Sequence, residues 1–164
     1  MGRTIVGPTI SEGTWVEIRR LNHSDLQMLV DSHEVFDDPV VAVRVREFLT
    51  DSHHHLFAAI HEESLIGFAS AMHYLHPDKK NPEMWINEIG VIEQFRRKGV
   101  ARQLISAVQA FAKESNCREV WVLTEPDNVA ALKLYESVKQ STRQDVVMFT
   151  LPVDGDQNAN IDSD

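Results

Sequence analysis

The chain has 164 residues, which is enough for one domain with a hydrophobic core and too few for two. Apolar residues make up 43% and charged residues 25%, so the composition excludes a fibrous or wholly disordered protein. The net charge of -9 argues against nucleic acid as the main partner and favours a cationic one, and without a long apolar run or a signal-peptide pattern we expect a cytoplasmic protein that is not inserted in a membrane.

The first half of the chain changes between strand and helix patterns. The run "TWVEIRRL", beginning at Thr14, predicts a first strand, and Ser24 with Gln27 three residues later is typical of a helix start. Asp38 followed by Pro39 predicts the start of a second helix. Three apolar runs with short connections follow, "HLFAAIHE", "IGFASAMHYL" and "MWINEIGVI", and we interpret them as consecutive antiparallel strands.

The second half begins with an amphipathic helix, because apolar residues recur at helical spacing over residues 100–111. It continues with "EVWVLTE" as a buried strand, "NVAALKLYESV" as a helix and "DVVMFTL" as a closing strand. The order β-α-α-β-β-β-α-β-α-β predicts an α/β fold with a mixed, mostly antiparallel sheet flanked by helices. We expect one domain over residues 14–151, an N-terminal extension over 1–13 and an acidic, disordered tail over 152–164.

Histidine and cysteine show no metal-site pattern. His53, His54 and His55 are adjacent, so their side chains point in different directions and we expect no metal ion. The single cysteine, Cys117, excludes a disulfide within the chain. It lies between a polar turn and an apolar run, which favours a packed thiol over the alternative of a nucleophile.

The segment "RRKGVA" carries the clearest functional signal. It lies between a predicted strand and a predicted helix, where the first helical amides lack intrahelical acceptors and attract an anion. Gly99 allows a ligand close to the backbone, and Ala101 leaves the helix start unobstructed. Four of the 16 cations of the chain lie in or beside the segment: Arg96, Arg97, Lys98 and Arg102. This pattern indicates a pyrophosphate site, with a solvated basic loop as the alternative.

The strand, the R-x-x-G-x-A loop, the helix, the buried strand and "EPDNVAALKLY" together resemble the GCN5-related N-acetyltransferase (GNAT) family. The resemblance extends over residues 14–151 and implies a GNAT-like fold, acetyl-coenzyme A (acetyl-CoA) as cosubstrate and no metal. Two departures from the family pattern are Ala101, where many relatives have glycine, and Lys139 with Gln140, where a glycine usually follows the helix.

Within the family, three segments resemble the aminoglycoside 3-N-acetyltransferases of type I: "VFDDPV", "LHPDKKNPEMWINEIGV" and "QDVVMFTLP". The resemblance implies acetylation of an amino group of the drug, at the 3-position, and hence antibiotic resistance. It also implies direct transfer without an acyl-enzyme. Aminoglycosides are polycations, so the acidity of the chain agrees with such a substrate.

The resemblance implies catalytic roles for Glu88 and Tyr135. Glu88 lies in the strand that leads into the basic loop and would accept a proton from the substrate ammonium; alternatively it only binds the drug, or it is a plain exposed carboxylate. Tyr135 would donate a proton to the departing thiolate, with packing in the core as the alternative.

For acetyl-CoA, the resemblance implies contacts along the strand end, the basic loop and the last helix. Gly90 would permit a bulge that separates its strand from the next, and the pantetheine arm would lie in the gap. An amide there would polarise the thioester carbonyl. Asn128 matches a cofactor-contacting position or simply caps the helix. The implied cofactor-binding residues are Ile89, Gly90, Val91, Arg96, Arg97, Lys98, Gly99, Val100, Ala101, Arg102 and Asn128.

Acidic residues in loops at strand ends are candidates for binding the ammonium groups of the drug. They are Glu34, Asp37, Asp38, Glu83, Glu125 and Asp127, although each alone is more typical of a cap or a solvated charge. Two other functions stay open: acetylation of another amine, such as a polyamine or a protein N-terminus, and a coenzyme A-binding or drug-sequestering module without turnover. The run "QDVVMFTL" also allows a homodimer in which it extends a sheet across subunits.

Overall fold

A six-stranded sheet forms the centre of the structure, a computed structural model that describes residues 5–6, 14–32 and 34–153. The strands are β1 (Ile5–Val6), β2 (Glu17–Arg20), β3 (His54–His61), β4 (Ser64–Tyr74), β5 (Glu83–Val91) and β6 (Val120–Val122). The helices are α1 (Leu26–Val30), α2 (Ala42–Thr50), α3 (Val100–Glu114) and α4 (Val129–Glu136). Among these residues, no helix is long and apolar enough to cross a membrane.

The strands lie side by side in chain order, so each pairs with its neighbour in sequence. Pairings from β1 to β5 are antiparallel, and only β6 runs parallel to β5. Short connections allow the antiparallel pairs, whereas the parallel pair needs α3 as a crossover. The predicted α/β fold with a mixed, mostly antiparallel sheet is therefore confirmed.

Two hydrophobic clusters fix the helices on opposite faces of the sheet. On the α3 face, Val100, Leu104 and Val108 follow helical spacing and pack against β3 and β5 residues such as Phe57 and Ile86. On the α1–α2 face, the buried members of the second cluster are Leu21, Leu29, Val35, Leu56, Ala58, Ile60, Leu65 and Phe68. Burial of both faces explains why β3 and β4 are almost continuously apolar.

The first two helices start at other residues than the sequence predicted. The capping box is formed by Asn22 and Asp25, not by Ser24 and Gln27, and a 3₁₀ turn precedes α1. Asn22 is extended and accepts from the Ser24 amide, which is the geometry of a cap.

The predicted α2 start at Asp38 and Pro39 is also wrong, because the helix begins only at Ala42. The chain between them includes Val40 and Val41, and β-branched residues have low helix propensity. The strong helix former Ala42 is therefore the first residue to enter the helix.

The two ends of the domain differ from the prediction as well. Residues 1–13 were assigned to an extension, but Ile5–Val6 adds a short edge strand to β2. The closing strand is absent: residues 142–153 belong to no helix or strand. Between α4 and this segment, Gln140 adopts φ 64°, the left-handed conformation that the missing family glycine would favour. Of the predicted acidic tail, residues 154–164 lie outside the described residues.

Candidate active site

A β-bulge in β5 places Glu88. Ser70 of β4 pairs with Glu88, whereas Ala71 pairs with Ile86, so Asn87 is an extra residue without a partner. The bulge shifts the alternation of β5 by one position. Apolar side chains therefore face the core at even-numbered positions before Asn87 and at odd-numbered positions after it.

The phase shift decides which face Glu88 occupies. Met84 and Ile86 belong to the cluster on the α3 face, and Ile89 and Val91 pack against the same cluster beyond the bulge. Glu88 lies between these sets, so it points to the α1–α2 face. A strand without the extra residue would present this carboxylate to the opposite face.

Gly90 has a different role from the predicted one. The prediction that Gly90 permits the bulge is wrong, because the extra residue is Asn87. A Cβ atom on Gly90 would lie 2.6 Å from the Phe68 ring and 3.1 Å from the carbonyl oxygen of Val35. Glycine is therefore required because the aromatic ring and the backbone pack directly on β5.

The strands β5 and β6 part after three residue pairs. Their parallel pairing ends with Ile86 and Val122, whereas β5 continues to Val91. On its other side, β5 stays paired with β4 as far as Val91. The backbone of residues 87–91 therefore presents an edge towards β6 that β6 does not occupy. This gap is where the sequence placed an extended ligand arm.

The start of α3 offers unpaired amides near the end of that gap. The Gln103 amide donates to the Gly99 carbonyl at 3.1 Å, which is the first bond of the helix ladder. The amides of Val100, Ala101 and Arg102 thus have no acceptor four residues earlier. Gly99 has φ 87°, and no atom lies within 4 Å of where its Cβ would be. A ligand can therefore approach the backbone here.

The cations of the basic loop, residues 96–102, are held in different ways. Arg96 Nε donates to the Val91 carbonyl oxygen at 2.8 Å, which ties the loop to the end of β5. The Lys98 ammonium lies 5.5 Å from the centroid of the Phe95 ring. Arg97 and Arg102 are exposed, and Arg97 has φ 59°. The loop therefore combines one structural arginine with cations displayed at the helix start.

Glu88 has an environment that suits a base. Glu88 is exposed, but partial desolvation raises its pKa, and the negative charge of Asp37 raises the pKa further. The hydroxyl of Ser70, directly opposite in the β4–β5 register, is buried and has no hydrogen-bond partner among the described residues. A carboxylate with a raised pKa holds a proton more readily near neutral pH.

Tyr135 lies on the other side of β5. It packs, with Leu134 and Val138, against the cluster of the α3 face. Burial raises the pKa of Tyr135, so its hydroxyl is protonated at neutral pH. Glu88 and Tyr135 therefore lie on opposite faces of the sheet.

Asn128 is placed as a helix cap. Its side-chain oxygen accepts from the Ala131 amide at 3.1 Å, and this bond satisfies one of the first amides of α4. The side chain is exposed. This placement accounts for the residue without a ligand, and a cofactor contact stays a prediction.

The acidic candidates separate into three groups. Glu34, Asp37 and Asp38 are exposed in the segment before α2, and Asp37 is close enough to influence Glu88. Glu125 and Asp127 are exposed in the turn before α4.

Glu83 is the exception, because it is buried and already paired. Its carboxylate accepts from Lys79 at 2.6 Å and from Tyr74 at 2.9 Å, and His76 lies 3.3 Å away. The hydrogen bond from Lys79 leads the interactions that lower the pKa of Glu83 to about 2. These contacts favour a structural role, so we leave Glu83 out of the proposed substrate contacts.

Two features of the site were missed from the sequence, Ser70 and the Asn87 bulge. Ser70 becomes relevant only through its register with Glu88. The bulge had a signal, because apolar residues in "MWINEIGV" occupy 84 and 86 and then 89 and 91. Strict alternation would continue at 88, so the slip marks an inserted residue.

The histidine run and the cysteine lie apart from this site. His55 is buried, with its Nε2 2.8 Å from Nδ1 of His73. Among the residues that the structure covers, no three potential ligands are grouped to hold a metal ion. Cys117 follows the far end of the fifteen-residue α3, on the order of 20 Å from Gly99. Burial raises the pKa of its thiol.

The structure also has a cavity of about 880 Å³. It is lined by β2 and β3 side chains that include Glu17, Arg19 and His61. None of the candidate site residues borders it.

Comparison with known proteins agrees with the geometry. The model of the acetyltransferase (GNAT) family matches residues 15–139. The aminoglycoside N(6')-acetyltransferase type 1 of Salmonella typhimurium is 31% identical over 106 residues, which cover 63% of this chain and 73% of the relative. This relative is named as a 6'-type enzyme, whereas the sequence resemblance implied the 3-N type.

Two solved structures show the same fold. An aminoglycoside N-acetyltransferase, AAC(6')-Iy in complex with CoA, has a TM-score of 0.71 and 26% identity over 88% of this chain and 99% of that one. An aminoglycoside acetyltransferase from an uncultured soil metagenomic sample, in complex with sisomicin, has a TM-score of 0.78 and 21% identity over 84% and 96%. The family match over most of the chain and the shared fold identify this protein as a member of the GNAT acetyltransferase family.

Proposed function

We propose that this protein is an acetyl-CoA-dependent N-acetyltransferase that acetylates an amino group of aminoglycosides and so confers resistance to them. The observation that carries the proposal is the gap beside residues 87–91, which has the start of α3 at one end and Glu88 with Asp37 on one face. The names of the related enzymes, and a formal charge of -9, support a polycationic substrate.

The residues present fit acetyl-CoA. A pyrophosphate needs amide donors and cations, and the α3 start supplies the amides of residues 100–102 together with Arg97, Lys98 and Arg102. The open space at Gly99 gives the phosphates access to these amides. The pantetheine arm is an extended chain with amide groups, and the unoccupied edge of residues 87–91 presents matching backbone donors and acceptors.

Acetyl-CoA, when bound, supplies the thioester from which the acetyl group is transferred to the amine. Glu88 accepts the proton that the substrate ammonium must lose before its nitrogen attacks. Tyr135 donates its hydroxyl proton to the departing sulfur, so the sulfur leaves as a neutral thiol. A backbone amide near Ile89 or Val91 stabilises negative charge on the carbonyl oxygen. Glu34, Asp37, Asp38, Glu125 and Asp127 attract the other ammonium groups.

Two amino groups of the drug are candidates for the acetylated nitrogen. The related enzymes named above are of the 6'-type, which favours the 6'-amino group. The segments "VFDDPV", "LHPDKKNPEMWINEIGV" and "QDVVMFTLP" favour the 3-amino group. The orientation of the drug against Glu88 decides between them, because the base serves whichever amine is nearest.

Product analysis tests both levels of the proposal. Release of free thiol from acetyl-CoA is measured with kanamycin, gentamicin, spermidine and a short peptide, and NMR of the drug product locates the new acetamide. Thiol release with the drugs supports the proposal, and a drug-sensitive host should become resistant. Release with only spermidine or the peptide would assign another amine. Binding of acetyl-CoA without release in any reaction would mean a module without turnover.

Gly99→Val is expected to raise the KM for acetyl-CoA about tenfold or more, because a β-branched side chain would occupy the open space above the helix start. The left-handed φ also strains any residue with a Cβ, at a cost of roughly 1–2 kcal/mol. Steady-state kinetics at saturating aminoglycoside measures the effect, and thermal unfolding shows whether the variant is folded. A folded variant with unchanged KM would remove the basic loop from the cofactor site.

Asp37→Asn should move the acidic limb of the kcat/KM profile to lower pH. The variant removes a negative charge near Glu88, so the raised pKa of Glu88 falls and the base is ionised at lower pH. The substrate amine titrates identically in both enzymes, so the difference belongs to the protein. Asp31→Asn is the control, because Asp31 is an exposed carboxylate at the end of α1 that is not among the causes of the raised Glu88 pKa. A limb that does not move contradicts the coupling of Asp37 with the base.

A further inference from the structure

Two tryptophans of the central sheet lie outside both hydrophobic clusters. The rings of Trp85 and Trp121 stack with their centroids 5.5 Å apart and their planes 14° from parallel. Among the described residues, neither tryptophan belongs to the cluster of the α3 face or to that of the α1–α2 face. Both are half-buried, so part of each indole is open to solvent. An apolar surface made of two such rings is typical of a binding site.

The tryptophan pair lies on the same face of the sheet as Glu88. Trp85 and Trp121 are partners in the parallel register of β5 and β6. Met84 and Ile86 face α3, so Trp85 between them faces the opposite side. This is the side to which Glu88 points beyond the bulge. Trp85 and Glu88 are three residues apart on one strand, which is on the order of 10 Å.

Helices α1 and α2 pack over other strands of this face, α1 against β4 and α2 against β3. Leu123 follows the last β5–β6 pair, Ile86 with Val122, and is 42% exposed. It is two residues beyond Trp121, so strand alternation places it on the same face, where the gap beside β5 begins. Trp85, Trp121 and Leu123 therefore form one apolar surface beside Glu88, which we call the apolar platform.

Hydrogen bonds within the protein fix the platform. The Trp121 indole donates to the Tyr74 hydroxyl at 2.7 Å, and this hydroxyl donates to Glu83 at 2.9 Å. Lys79 donates to the same carboxylate at 2.6 Å and neutralises its charge. The indole N–H and the nearby carboxylate are thus already paired. The platform therefore offers a ligand apolar contact rather than hydrogen bonds.

An amino-sugar ring matches this surface. Such a ring presents C–H groups on its faces and carries its hydroxyl and ammonium groups around its rim. The face of an aromatic ring is negative, so it attracts both C–H groups and nearby ammonium groups. Exposed carboxylates that can attract rim ammonium groups follow the platform at Glu125 and precede α2 at Asp37. A linear polyamine covers less of the platform, because it has only a thin methylene chain between its charges.

We propose that the apolar platform holds one ring of the acceptor drug while an amine on a linked ring meets Glu88, and that it thereby favours ring-bearing amines over linear ones. The inference rests on the proposed function, because it specifies the acceptor of the same site. Two linked sugar rings span the separation of roughly 10 Å between Trp85 and Glu88.

Tryptophan fluorescence reports binding to the platform without any turnover. The chain has three tryptophans, so Trp15→Phe leaves only the platform pair. Trp15 lines the cavity beside β2 and is not part of the platform. Kanamycin should change the emission saturably, and adding Leu123→Ala should raise its Kd about tenfold, because part of an apolar contact is lost. Spermidine should bind more weakly and be less affected by Leu123→Ala. Equal effects on the two ligands would overturn the proposal.

Kinetics then show whether the bound drug is the acceptor. Trp85→Leu and Leu123→Ala should each raise the KM for kanamycin about tenfold, with kcat and the KM for acetyl-CoA nearly unchanged, because the contact is the same in the ground and transition states. Leu75→Ala, at a leucine that is 74% exposed directly after β4, is the matched control and should leave all constants unchanged. Thermal unfolding shows whether each variant is folded. A rise in the KM for acetyl-CoA alone would place Leu123 against the cosubstrate and contradict the platform.

The two experiments separate this inference from the proposed function. Saturable emission changes with kanamycin that weaken in Leu123→Ala, without thiol release, support the platform and contradict acetyl transfer to the drug. Thiol release with kanamycin that is unchanged in both variants, or that occurs without any emission change, contradicts the platform alone. Neither emission change nor thiol release would contradict both.

Discussion

Glu88→Gln is expected to lower kcat about 100-fold near neutral pH and to recover part of this loss at high pH. Glutamine keeps the shape of the side chain but cannot accept a proton from the substrate ammonium. At high pH the amine is already free, so the base is needed less. The pH profiles of kcat and of both KM values, measured with gentamicin and acetyl-CoA, check this prediction.

A different pattern would identify a different role for Glu88. If the carboxylate only binds the drug, the KM for the aminoglycoside rises while kcat is nearly unchanged. Glu119→Gln is the control, because Glu119 is exposed directly before β6 and forms an ion pair with Arg118. A Glu88 variant as active as this control across the pH range would remove Glu88 from the chemistry.

Tyr135→Phe should lower kcat about 100-fold and leave both KM values nearly unchanged, as expected for loss of one general acid. The hydroxyl group is removed while the aromatic ring keeps its packing against the α3 face. Because burial raises the pKa of Tyr135, the wild-type acid should remain active at alkaline pH, up to values above the ordinary titration of tyrosine. Steady-state kinetics from about pH 6 to above pH 10 measures both effects.

The second tyrosine of the chain provides a matched control. Tyr74 accepts from the Trp121 indole at 2.7 Å and donates to Glu83, so its hydroxyl is structural. Tyr74→Phe should reduce the free energy of unfolding by about 1–3 kcal/mol, because the buried Glu83 carboxylate and the half-buried Trp121 indole each lose a partner. Its kcat should stay near the native value. Equal kcat losses in both tyrosine variants would mean that Tyr135 acts through stability rather than proton transfer.

Hydrophobic patterning was sufficient to locate most of the fold. The strands β2 to β6 and the helices α3 and α4 were all found, because each places apolar side chains in the core or against it. Helix starts were less accurate, since local capping residues compete within a few positions: Asn22 took the role predicted for Ser24. The basic loop was predicted because its glycine, cations and helix start adjoin in sequence.

Features that depend on distant partners were not available from the sequence. The influence of Asp37 on Glu88 requires the segment before α2 to lie beside β5. The hydrogen bonds to the Glu83 carboxylate require Tyr74 and Lys79 to lie beside it in the fold. The prediction of a closing strand was wrong for the same reason. A strand pattern in residues 145–151 gives the tendency to pair but not the edge with which the segment pairs.

The bulge at Asn87 divides β5 into two parts that can change separately during evolution. Residues before the bulge serve the core, and Glu88 beyond it serves the opposite face. Replacing the residue at position 88 therefore alters what meets the substrate without disturbing the hydrophobic alternation upstream. Deleting Asn87 would instead exchange the faces of every residue up to Val91 and bring a carboxylate into the core. Selection for new amine substrates can therefore act through substitutions at position 88. Insertions or deletions in β5 would instead disrupt the core.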